Sequence, residues 1–279
     1  MNLAVGFFDA VHLGHRRILA LADVAFTFRN HPATVFAPER APALVMDAAS
    51  RRLAIADALG RGGEVRMIEF TREFAAMPPE GFVDFLRREY PTLETVFCGG
   101  DWTFGAGAAG NADFLRARGI KVETVEQVTV EGKPVSSTRI RAAIAAGDWH
   151  TVTACMGRPW RIAGEVMSGK GLGRHLGFPT LNLKTDEELV SPPFGVYALD
   201  TQFGRAIANW GLAPTLGGNA WRKPVLEVHL LETTPPTELR TLEVDFLGFI
   251  RDERKFASLD ELKKQLARDV DAIRKGRFN

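Results

Sequence analysis

Two short segments of the chain place histidine, serine, threonine and arginine at spacings that suit the binding of a triphosphate. The first, His12-Leu13-Gly14-His15, stands where an apolar run over residues 3–8 gives way to the start of a helix. Free N–H groups at a helix N-terminus bind phosphate, and Gly14 lets a phosphate approach the backbone. Taken alone, the four residues fit a plain helix start with two exposed histidines equally well.

The second segment, residues 136–141, reads Ser-Ser-Thr-Arg-Ile-Arg. Hydroxyl groups at the start of a helix can cap it or bind phosphate, and an arginine can clamp a polyphosphate. Alone, this pattern is more typical of an N-cap followed by surface arginines. Both segments lie at predicted strand-to-helix junctions, at opposite ends of the same half of the chain. Together they favour a binding site for ATP.

A third segment, residues 162–182, contains closely spaced glycines. Gly169, Gly171 and Gly173 permit a loop whose N–H groups cradle a phosphate. The segment is not a Walker loop, because it lacks Gly-Lys followed by Ser or Thr. The glycines alone predict a nucleotide-binding loop or a glycine-rich hairpin with equal weight.

The elements that must position the first two segments alternate between strand and helix. Helices are predicted over residues 13–22, from a cap at Asp47 to Leu59, from Pro79, and from Ser136 or Ser137 to Gly147. Strands are predicted over residues 3–8, 24–28, 65–70, 95–98 and 120–125. This alternation is typical of an α/β domain with an open, mostly parallel sheet.

The pattern changes near Gly157, where we place the boundary between domains 1–157 and 158–279. After it, short alternating runs without helices predict a small antiparallel barrel or sandwich: residues 161–167, 195–201, 206–210, 224–231 and 242–250. A final helix begins at a capping box of Ser258 and Glu261. One apolar stripe follows the length of this helix, formed by Leu259, Leu262, Leu266, Val270 and Ile273.

Composition limits the class of protein. The 279 residues suit two domains, and 35 Lys and Arg against 34 Asp and Glu give a net charge of +1. A general nucleic-acid or acidic-membrane binder usually has a basic excess, so we expect neither partner. The two cysteines cannot form a disulfide framework, and no apolar stretch approaches the ~20 residues of a membrane span. Without a signal peptide, the expected location is the cytoplasm.

Taken together, the segments resemble a known family. The pair of His-x-Gly-His and Ser-Ser-Thr-x-x-Arg resembles that of adenylyl-transferring nucleotidyltransferases. Further motifs make the whole chain similar to bifunctional riboflavin kinase/FAD synthetase: Phe8-Asp9, Thr27-Phe28, His31-Pro32, residues 100–105, Arg158-Pro159 and Gly177-Phe178-Pro179-Thr180. The resemblance implies a Rossmann-like nucleotidyltransferase domain followed by a riboflavin kinase-like β-barrel that ends in a helix.

For the N-terminal domain, the resemblance implies transfer of AMP from ATP to FMN, with release of pyrophosphate. His12, His15 and Arg141 would be catalytic, as electrostatic stabilisers of the triphosphate. Further contacts to ATP would come from Asp9, Gly14, Ser136, Ser137 and Thr138. The flavin side would be formed by Phe28, His31, Pro32, Phe104 and Asp101, with Asp101 near the phosphates and magnesium.

For the C-terminal domain, the resemblance implies phosphorylation of riboflavin by ATP. Glu227 would be the catalytic carboxylate, although an isolated glutamate on an alternating strand is typically solvated. Arg251 would contact the flavin, within a segment that docks the final helix. The ATP site would include Gly169, Gly171, Gly173, Arg174, Thr180 and Asn182, of which Thr180 and Asn182 would hold Mg²⁺ through oxygen ligands.

Four departures from the family pattern stand near the flavin-binding periphery: Ala10 for Gly, Asn30 for Pro, Leu181 for Ala, and an altered turn over residues 232–240. A methyl group at position 10 fits if its φ angle is negative. These changes leave two alternatives to a bifunctional enzyme, a riboflavin kinase with a degraded N-terminal domain and a non-catalytic flavin- or nucleotide-sensing protein. The expected partners are riboflavin, FMN and ATP with Mg²⁺, and the expected state is a monomer or weak homo-oligomer.

Overall fold

The chain divides into an N-terminal unit, Met1–Arg139, and a C-terminal unit, Ile140–Asn279. The structure is a computed structural model and describes residues 1–167, 178–186, 188–212, 224–236 and 238–278. In this part of the chain, no helix is both long enough and apolar enough to cross a membrane.

The N-terminal unit is built on nine strands and the helices that follow them. Its strands are β1 (Asn2–Val5), β2 (Val24–Phe28), β3 (Glu64–Ile68), β4 (Thr95–Gly99), β5 (Thr103–Phe104), β6 (Gly110–Asn111), β7 (Lys121–Val125), β8 (Thr129–Val130) and β9 (Lys133–Pro134). Its helices are α1 (Leu13–Leu19), α2 (Ala33–Phe36), α3 (Ala48–Leu59), α4 (Arg72–Ala75), α5 (Pro79–Glu89) and α6 (Ala112–Arg116). Helix α7 (Ser137–Ala146) begins in this unit and continues into the next.

Five of these strands form one parallel sheet in the order β3-β2-β1-β4-β7. β1 is the central strand, and its Ala4 pairs with Ala25 of β2 and Phe97 of β4. The order of the strands reverses direction at β1, so the chain leaves β1 and β4 toward opposite sides. In open parallel sheets, ligands bind at the carboxyl ends of strands at such a switch point.

Local sequence explains where the longer helices of this unit begin. The Asp47 carboxylate accepts a hydrogen bond from the Ser50 N–H at 2.8 Å and caps α3. α5 starts with Pro79 at its first position, where a missing N–H costs nothing. Phe82 and Leu86 of α5 are buried against the sheet, as their spacing predicts.

The C-terminal unit is a closed barrel flanked by helices. Its elements are α8 (Trp149–Met156), β10 (Trp160–Met167), β11 (Leu181–Thr185), β12 (Gly195–Thr201), β13 (Gly204–Leu212), β14 (Pro224–Leu230), β15 (Thr241–Arg251) and α9 (Leu259–Arg274). The barrel order is β10-β11-β14-β13-β12-β15, and all neighbouring strands are antiparallel. Of the two predicted architectures, the barrel is confirmed.

Helix α8 covers the barrel with an aromatic cluster and was not predicted from the sequence. Its Trp149 ring stacks on Phe246 at 5.2 Å and lies 6.1 Å from Trp160, measured between ring centroids. The helix is short and contains β-branched residues of low helix propensity, so its formation depends on this packing. Gly157 ends it in the left-handed conformation, with φ of 71°.

The final helix docks on the barrel through its C-terminal half. Ile273 packs against Val196 and Ile207 of the barrel, and the buried Asp269 carboxylate accepts a hydrogen bond from Arg251 Nε at 2.9 Å. The predicted capping box holds, because Ser258 Oγ accepts from the Glu261 N–H. The predicted apolar stripe does not pack along its whole length. Its first residue, Leu259, lies before the docked half and is 63% exposed.

We expect Asp269→Ala to lower the free energy of unfolding of the C-terminal unit by about 3 kcal/mol, because it leaves Arg251 without its buried partner. Urea unfolding followed by tryptophan fluorescence measures this, since four of the five tryptophans lie after residue 140. The control is Asp271→Ala, which removes an exposed ion pair with Lys275 on the same helix. Its effect should stay below about 0.5 kcal/mol, and equal losses from both variants would contradict the proposed docking contact.

Candidate active sites

The turn between β1 and α1 has an unusual backbone. Phe8, Ala10 and Val11 have positive φ angles of 55°, 73° and 43°. The condition under which a methyl group at position 10 fits easily, a negative φ angle, is therefore not met, and the Ala10 methyl group occupies a conformation that glycine adopts far more readily. The surrounding structure must hold this turn in place.

The Asp9 carboxylate is a major part of that support. It is 2% exposed and accepts hydrogen bonds from the N–H groups of Val45 and Met46 at 3.0 and 3.2 Å. It also accepts from the Ala10 N–H at 3.1 Å. The side chain thus faces the segment before α3, and the predicted contact of Asp9 with ATP stays a prediction.

His12 and His15 stack on each other at the start of α1. Their ring centroids lie 3.6 Å apart, and the planes are inclined by 16°. His12 Nδ1 accepts a hydrogen bond from the His15 N–H at 3.2 Å, so His12 is the N-cap of the helix. This bond leaves Nε2 of His12 as the ring nitrogen that carries a proton in the neutral side chain.

Both histidines are held uncharged at neutral pH. Burial lowers the pKa of His12 to about 4. Burial also lowers the pKa of His15 well below its usual range, and the neighbouring His12 lowers it further. Two neutral imidazoles can donate hydrogen bonds to phosphate oxygens, but they add no formal charge to the site before a ligand binds.

The start of α7 is fixed to the same turn. Ser137 Oγ donates a hydrogen bond to the main-chain oxygen of Asp9 at 2.8 Å, across 128 residues of sequence. Ser136 Oγ accepts from the Arg139 N–H at 3.2 Å and caps the helix, as predicted. Arg141 follows one turn later in α7.

A cavity of about 780 Å³ opens at the carboxyl ends of β1, β4 and β7. It brings together six of the residues predicted for the nucleotide site of the first domain, and with them Asp101, which was predicted near the phosphates. These lining residues are His12, Gly14, His15, Asp101, Ser136, Ser137 and Thr138. The two segments singled out by their spacing therefore meet in three dimensions at the switch point of the sheet.

A second cavity, of about 450 Å³, adjoins the first and is lined mainly by aromatic rings. Of the residues predicted for the flavin, Phe28, Pro32 and Phe104 line it. Val5, Gly6, Trp102 and Thr103 line both cavities, so the two lie side by side and share a wall. Six further aromatic residues line this cavity and were not predicted to form the flavin side, although Trp102 belongs to the motif of residues 100–105: Phe26, Phe36, Phe70, Phe74, Phe82 and Trp102.

Two residues predicted for the flavin lie elsewhere. His31 Nδ1 accepts a hydrogen bond from the Ala33 N–H, and its ring packs edge-on against Phe7 at 4.8 Å. Asp101 lines the larger cavity and is exposed. His31 therefore shapes the loop before α2, and Asp101 faces the part of the site that holds the histidines.

In the C-terminal unit, three polar residues form a row across adjacent strands. Glu227 of β14 pairs with Asn182 of β11 on one side and with Asn209 of β13 on the other. Thr180 directly precedes β11 and is exposed. His229 Nδ1 lies 2.8 Å from the main-chain oxygen of Pro179, which holds the segment with Thr180 against β14.

Glu253 adds a second carboxylate to this row. It accepts a hydrogen bond from Asn209 Nδ2 at 2.7 Å and lies where a Cβ atom on Gly211 would collide with it. Partial burial raises the pKa of Glu227, and the negative charge of Glu253 raises it further. Asn209 was expected on a barrel strand near the site, and Glu253 in the segment that docks the final helix and shapes the flavin pocket. Their contact with each other beside Glu227 was not predicted, since only strand register and the fold after β15 bring them together.

The structure describes only one of the remaining residues predicted for the kinase site, Arg251. Arg251 pairs with Asp269 of α9, so its observed role is docking of the final helix. Gly169, Gly171, Gly173 and Arg174 lie outside the described residues. A cavity of about 280 Å³ at Trp160, Trp210 and Val225 has neither Glu227 nor Asn182 in its lining.

Comparisons with known proteins assign the two halves of the chain to two different family models. A family model for FAD synthetase matches residues 1–139, and one for riboflavin kinase matches residues 156–276. The bifunctional riboflavin kinase/FMN adenylyltransferase of Pseudomonas fluorescens is 36% identical, covering 97% of this chain and 91% of its own. The chain belongs to the bifunctional riboflavin kinase/FMN adenylyltransferase family.

Other relatives extend the family assignment. The Escherichia coli K12 protein of the same name is 33% identical over 96% of this chain, and the Bacillus subtilis protein is 28% identical over 98%. Family members are transferases, and their ATP-dependent reactions imply a divalent metal. A crystal structure described as a macrolide-efflux protein from Streptococcus pneumoniae is also similar, with a TM-score of 0.85 and 27% identity over 98% of this chain and 93% of that one.

Because Ala10 has a positive φ angle, glycine should be tolerated better at this position than at another fully buried alanine, Ala25. Ala10→Gly should change the free energy of unfolding by less than about 1 kcal/mol, because relief of the left-handed conformation offsets the lost methyl group. Ala25→Gly, in the middle of β2, should lose about 1–2 kcal/mol. Hydrogen exchange of β1 and β2 measures both. A larger loss at position 10 than at position 25 would contradict the assigned backbone strain.

The low pKa of His12 makes the stability of the N-terminal unit depend on pH. The unfolded chain binds the proton with a pKa of 6.5 and the folded chain with one of about 4, so stability is complete above pH 6.5 and falls toward pH 4. His12→Asn keeps an acceptor for the His15 N–H. The free energy of unfolding of this variant should therefore fall by roughly 2 kcal/mol less than that of the parent on going to low pH. Hydrogen exchange at pH 4.5 and 7 tests this, with exposed His150→Asn as the control that should retain the parent's pH dependence.

Proposed function

We propose that this chain carries both activities of its family, phosphorylation of riboflavin to FMN and adenylylation of FMN to FAD, each at the expense of ATP. The observation that supports this most is the pair of adjoining cavities in the N-terminal unit. One gathers His12, His15 and the start of α7, and the other is lined by aromatic rings. A nucleotide and a flavin need these two environments side by side.

In the proposed adenylyl transfer, the flavin ring lies in the aromatic cavity and the triphosphate of ATP lies beside the histidines. The FMN phosphate would meet the α-phosphorus of ATP near Gly6 and Thr103, where the two cavities join. The phosphate oxygen forms a bond to that phosphorus, and the bond to pyrophosphate breaks. No protein nucleophile is needed, so alignment and stabilisation of the leaving pyrophosphate supply the catalysis.

The residues around the triphosphate divide into those that contact it and those that hold the contacts in place. His12 and His15 would donate neutral hydrogen bonds, and Thr138 and Arg141 would close the other side. Ser137 and Asp9 would act as positioning residues, because Ser137 Oγ donates to the Asp9 main chain and the Asp9 carboxylate accepts from Val45 and Met46. The N–H groups at the start of α7 then face the phosphates.

In the proposed kinase reaction, Glu227 accepts the proton of the riboflavin 5′-hydroxyl as that oxygen attacks the γ-phosphorus of ATP. The raised pKa of Glu227 suits this role, since it makes the carboxylate a stronger base. Thr180 and Asn182 supply the hard oxygen ligands that Mg²⁺ prefers, and the metal would enter with ATP. Gly169, Gly171, Gly173 and Arg174 keep their predicted contact with ATP, and Arg251 its predicted place beside the flavin.

The alternatives are less well supported. A kinase with a degraded N-terminal domain would not need a shaped cavity around His12 and His15. A sensing protein without turnover would not need Glu227 held at raised pKa beside Asn182. The functional boundary near residue 157, the monomeric or weakly associated state and the cytoplasmic location remain predictions.

One incubation tests the proposal directly. Purified chain, riboflavin, ATP and Mg²⁺ are mixed, and flavins are separated over time. Successive FMN and FAD support both activities, and omission of Mg²⁺ should stop both reactions. FMN without FAD, even when FMN is supplied, would overturn the adenylylation half of the proposal.

Two variants test whether the sites are separate. Glu227→Gln should lower riboflavin phosphorylation by about 10²-fold or more while supplied FMN is still converted to FAD, because only the kinase step needs the base. His15→Ala should lower FAD formation by a similar factor, as expected for a lost donor to the transition state, and leave riboflavin phosphorylation intact. The retained reaction shows that the unsubstituted unit is intact, and thermal unfolding of each variant shows whether the substituted unit is folded. Loss of both activities in a folded variant would show that the assignment of residues to sites is wrong.

A further inference from the structure

Asn30 makes two hydrogen bonds to the main chain of a single distant residue. Its Nδ2 donates to the Phe70 carbonyl oxygen at 3.0 Å, and its Oδ1 accepts from the Phe70 N–H at 2.8 Å. The donor and the acceptor of the side-chain amide are therefore both paired with main-chain groups of Phe70, which lies 40 residues away. A side chain so placed acts as a short extra piece of strand.

The position of Asn30 explains what this pairing replaces. The ladder between β2 and β3 ends at the pair Phe28 and Ile68, followed by one hydrogen bond from the Arg29 N–H to the Ile68 oxygen at 2.7 Å. Beyond that point the segments that follow β2 and β3 would be free to separate. The Asn30 amide extends the connection past the end of the sheet to Phe70.

A third hydrogen bond carries the connection into the loop before α2. Asn30 Nδ2 also donates to Thr34 Oγ1 at 3.2 Å, and Thr34 Oγ1 donates to the His31 main-chain oxygen at 2.7 Å. The two segments joined in this way both line the aromatic cavity. One contributes Pro32 and Phe36, and the other contributes Phe70 and Phe74.

Phe70 is the ring that this arrangement fixes most directly. It packs edge-on against Phe28 at 4.8 Å and against Phe36 at 6.0 Å, measured between centroids. Phe36 is 68% exposed and has little other packing to hold it. If the Phe70 main chain moved, Phe36 and Phe28 would each lose the contact with the Phe70 ring, although Phe28 would keep its packing against Phe26 and Phe74.

We propose that Asn30 is a positioning residue that sets the affinity of the aromatic cavity for the flavin ring, by holding Phe70 at its wall. The inference rests on the proposed function of this cavity. Asn30 itself does not line the cavity, so it acts through Phe70 rather than by touching FMN. A proline at this position has no side-chain donor or acceptor and could not make the same connection.

The test is the dependence of FAD formation on FMN concentration. Asn30→Asp replaces the donor to the Phe70 oxygen by a carboxylate oxygen and should raise KM for FMN about tenfold, which corresponds to about 1.4 kcal/mol. The value of kcat should stay within about twofold, because an interaction felt equally by the bound substrate and the transition state changes KM alone. Riboflavin phosphorylation by the same chain should be unchanged, because it is proposed for the C-terminal unit, and the retained kcat of FAD formation shows that the N-terminal unit of the variant is folded.

Two further variants separate positioning from a general loss of structure. Thr34→Val removes the two hydrogen bonds of Thr34 Oγ1, with Asn30 Nδ2 and with the His31 oxygen, but leaves both bonds to Phe70 in place, so it should raise KM for FMN by less than Asn30→Asp does. Phe70→Ala removes the ring that Asn30 holds, so Asn30→Asp in that background should add less than a twofold change. Additive effects of Asn30→Asp and Phe70→Ala would overturn the proposed route through Phe70.

Hydrogen exchange supplies a readout that does not depend on turnover. Asn30→Asp should speed exchange in the segment of residues 69–75 and leave β4 and β7 unchanged. An unchanged KM for FMN in Asn30→Asp, with an active parent chain, would overturn this inference and leave the proposed function standing. Failure of the parent chain to make FAD would instead overturn the proposed function, and faster exchange near Phe70 alone would not then support a role in flavin binding.

Discussion

The Asp9 carboxylate is the constraint on which the N-terminal site depends. A buried carboxylate is costly unless N–H groups satisfy it, and the main chain at Val45 and Met46 does so. These bonds hold a turn whose positive φ angles would otherwise relax. The main-chain oxygen of the same residue then receives Ser137 Oγ. Three segments far apart in sequence, near residues 9, 45 and 137, are thereby fixed at one end of the sheet.

The two units build their sites in different ways. In the parallel sheet, side chains come from loops that leave the carboxyl ends of neighbouring strands, so loop conformation decides what meets in the cavity. In the barrel, Asn182, Glu227 and Asn209 stand side by side because their strands pair in one register. A slip of one residue would turn Glu227 to the other face. The first site depends on loop supports such as Asp9, and the second depends on strand register.

The sequence predicted what short-range patterns encode. Strand β2 and helix α3 were predicted at their observed bounds, because alternation, an Asp cap and a following glycine are local signals. β11 was missed, since its five residues follow directly on a motif that reads as a loop. The partners of Asp9, Asn30 and Glu253 could not be predicted, because each lies tens of residues away and is chosen by the tertiary fold. Motif spacing located the sites, and only the fold identified what supports them.

The contact between the two cavities has a consequence for how the proposed adenylylation reaction ends. FMN and ATP would enter as separate molecules, each held by its own cavity. The product FAD would be one covalent molecule that occupies both, past the shared walls at Gly6, Trp102 and Thr103. A bivalent ligand dissociates only when both of its halves are unbound at the same time. The half that is still bound keeps the free half at a high local concentration near its own site, so rebinding is fast. Release of FAD would therefore be slower than release of either FMN or ATP from its own cavity.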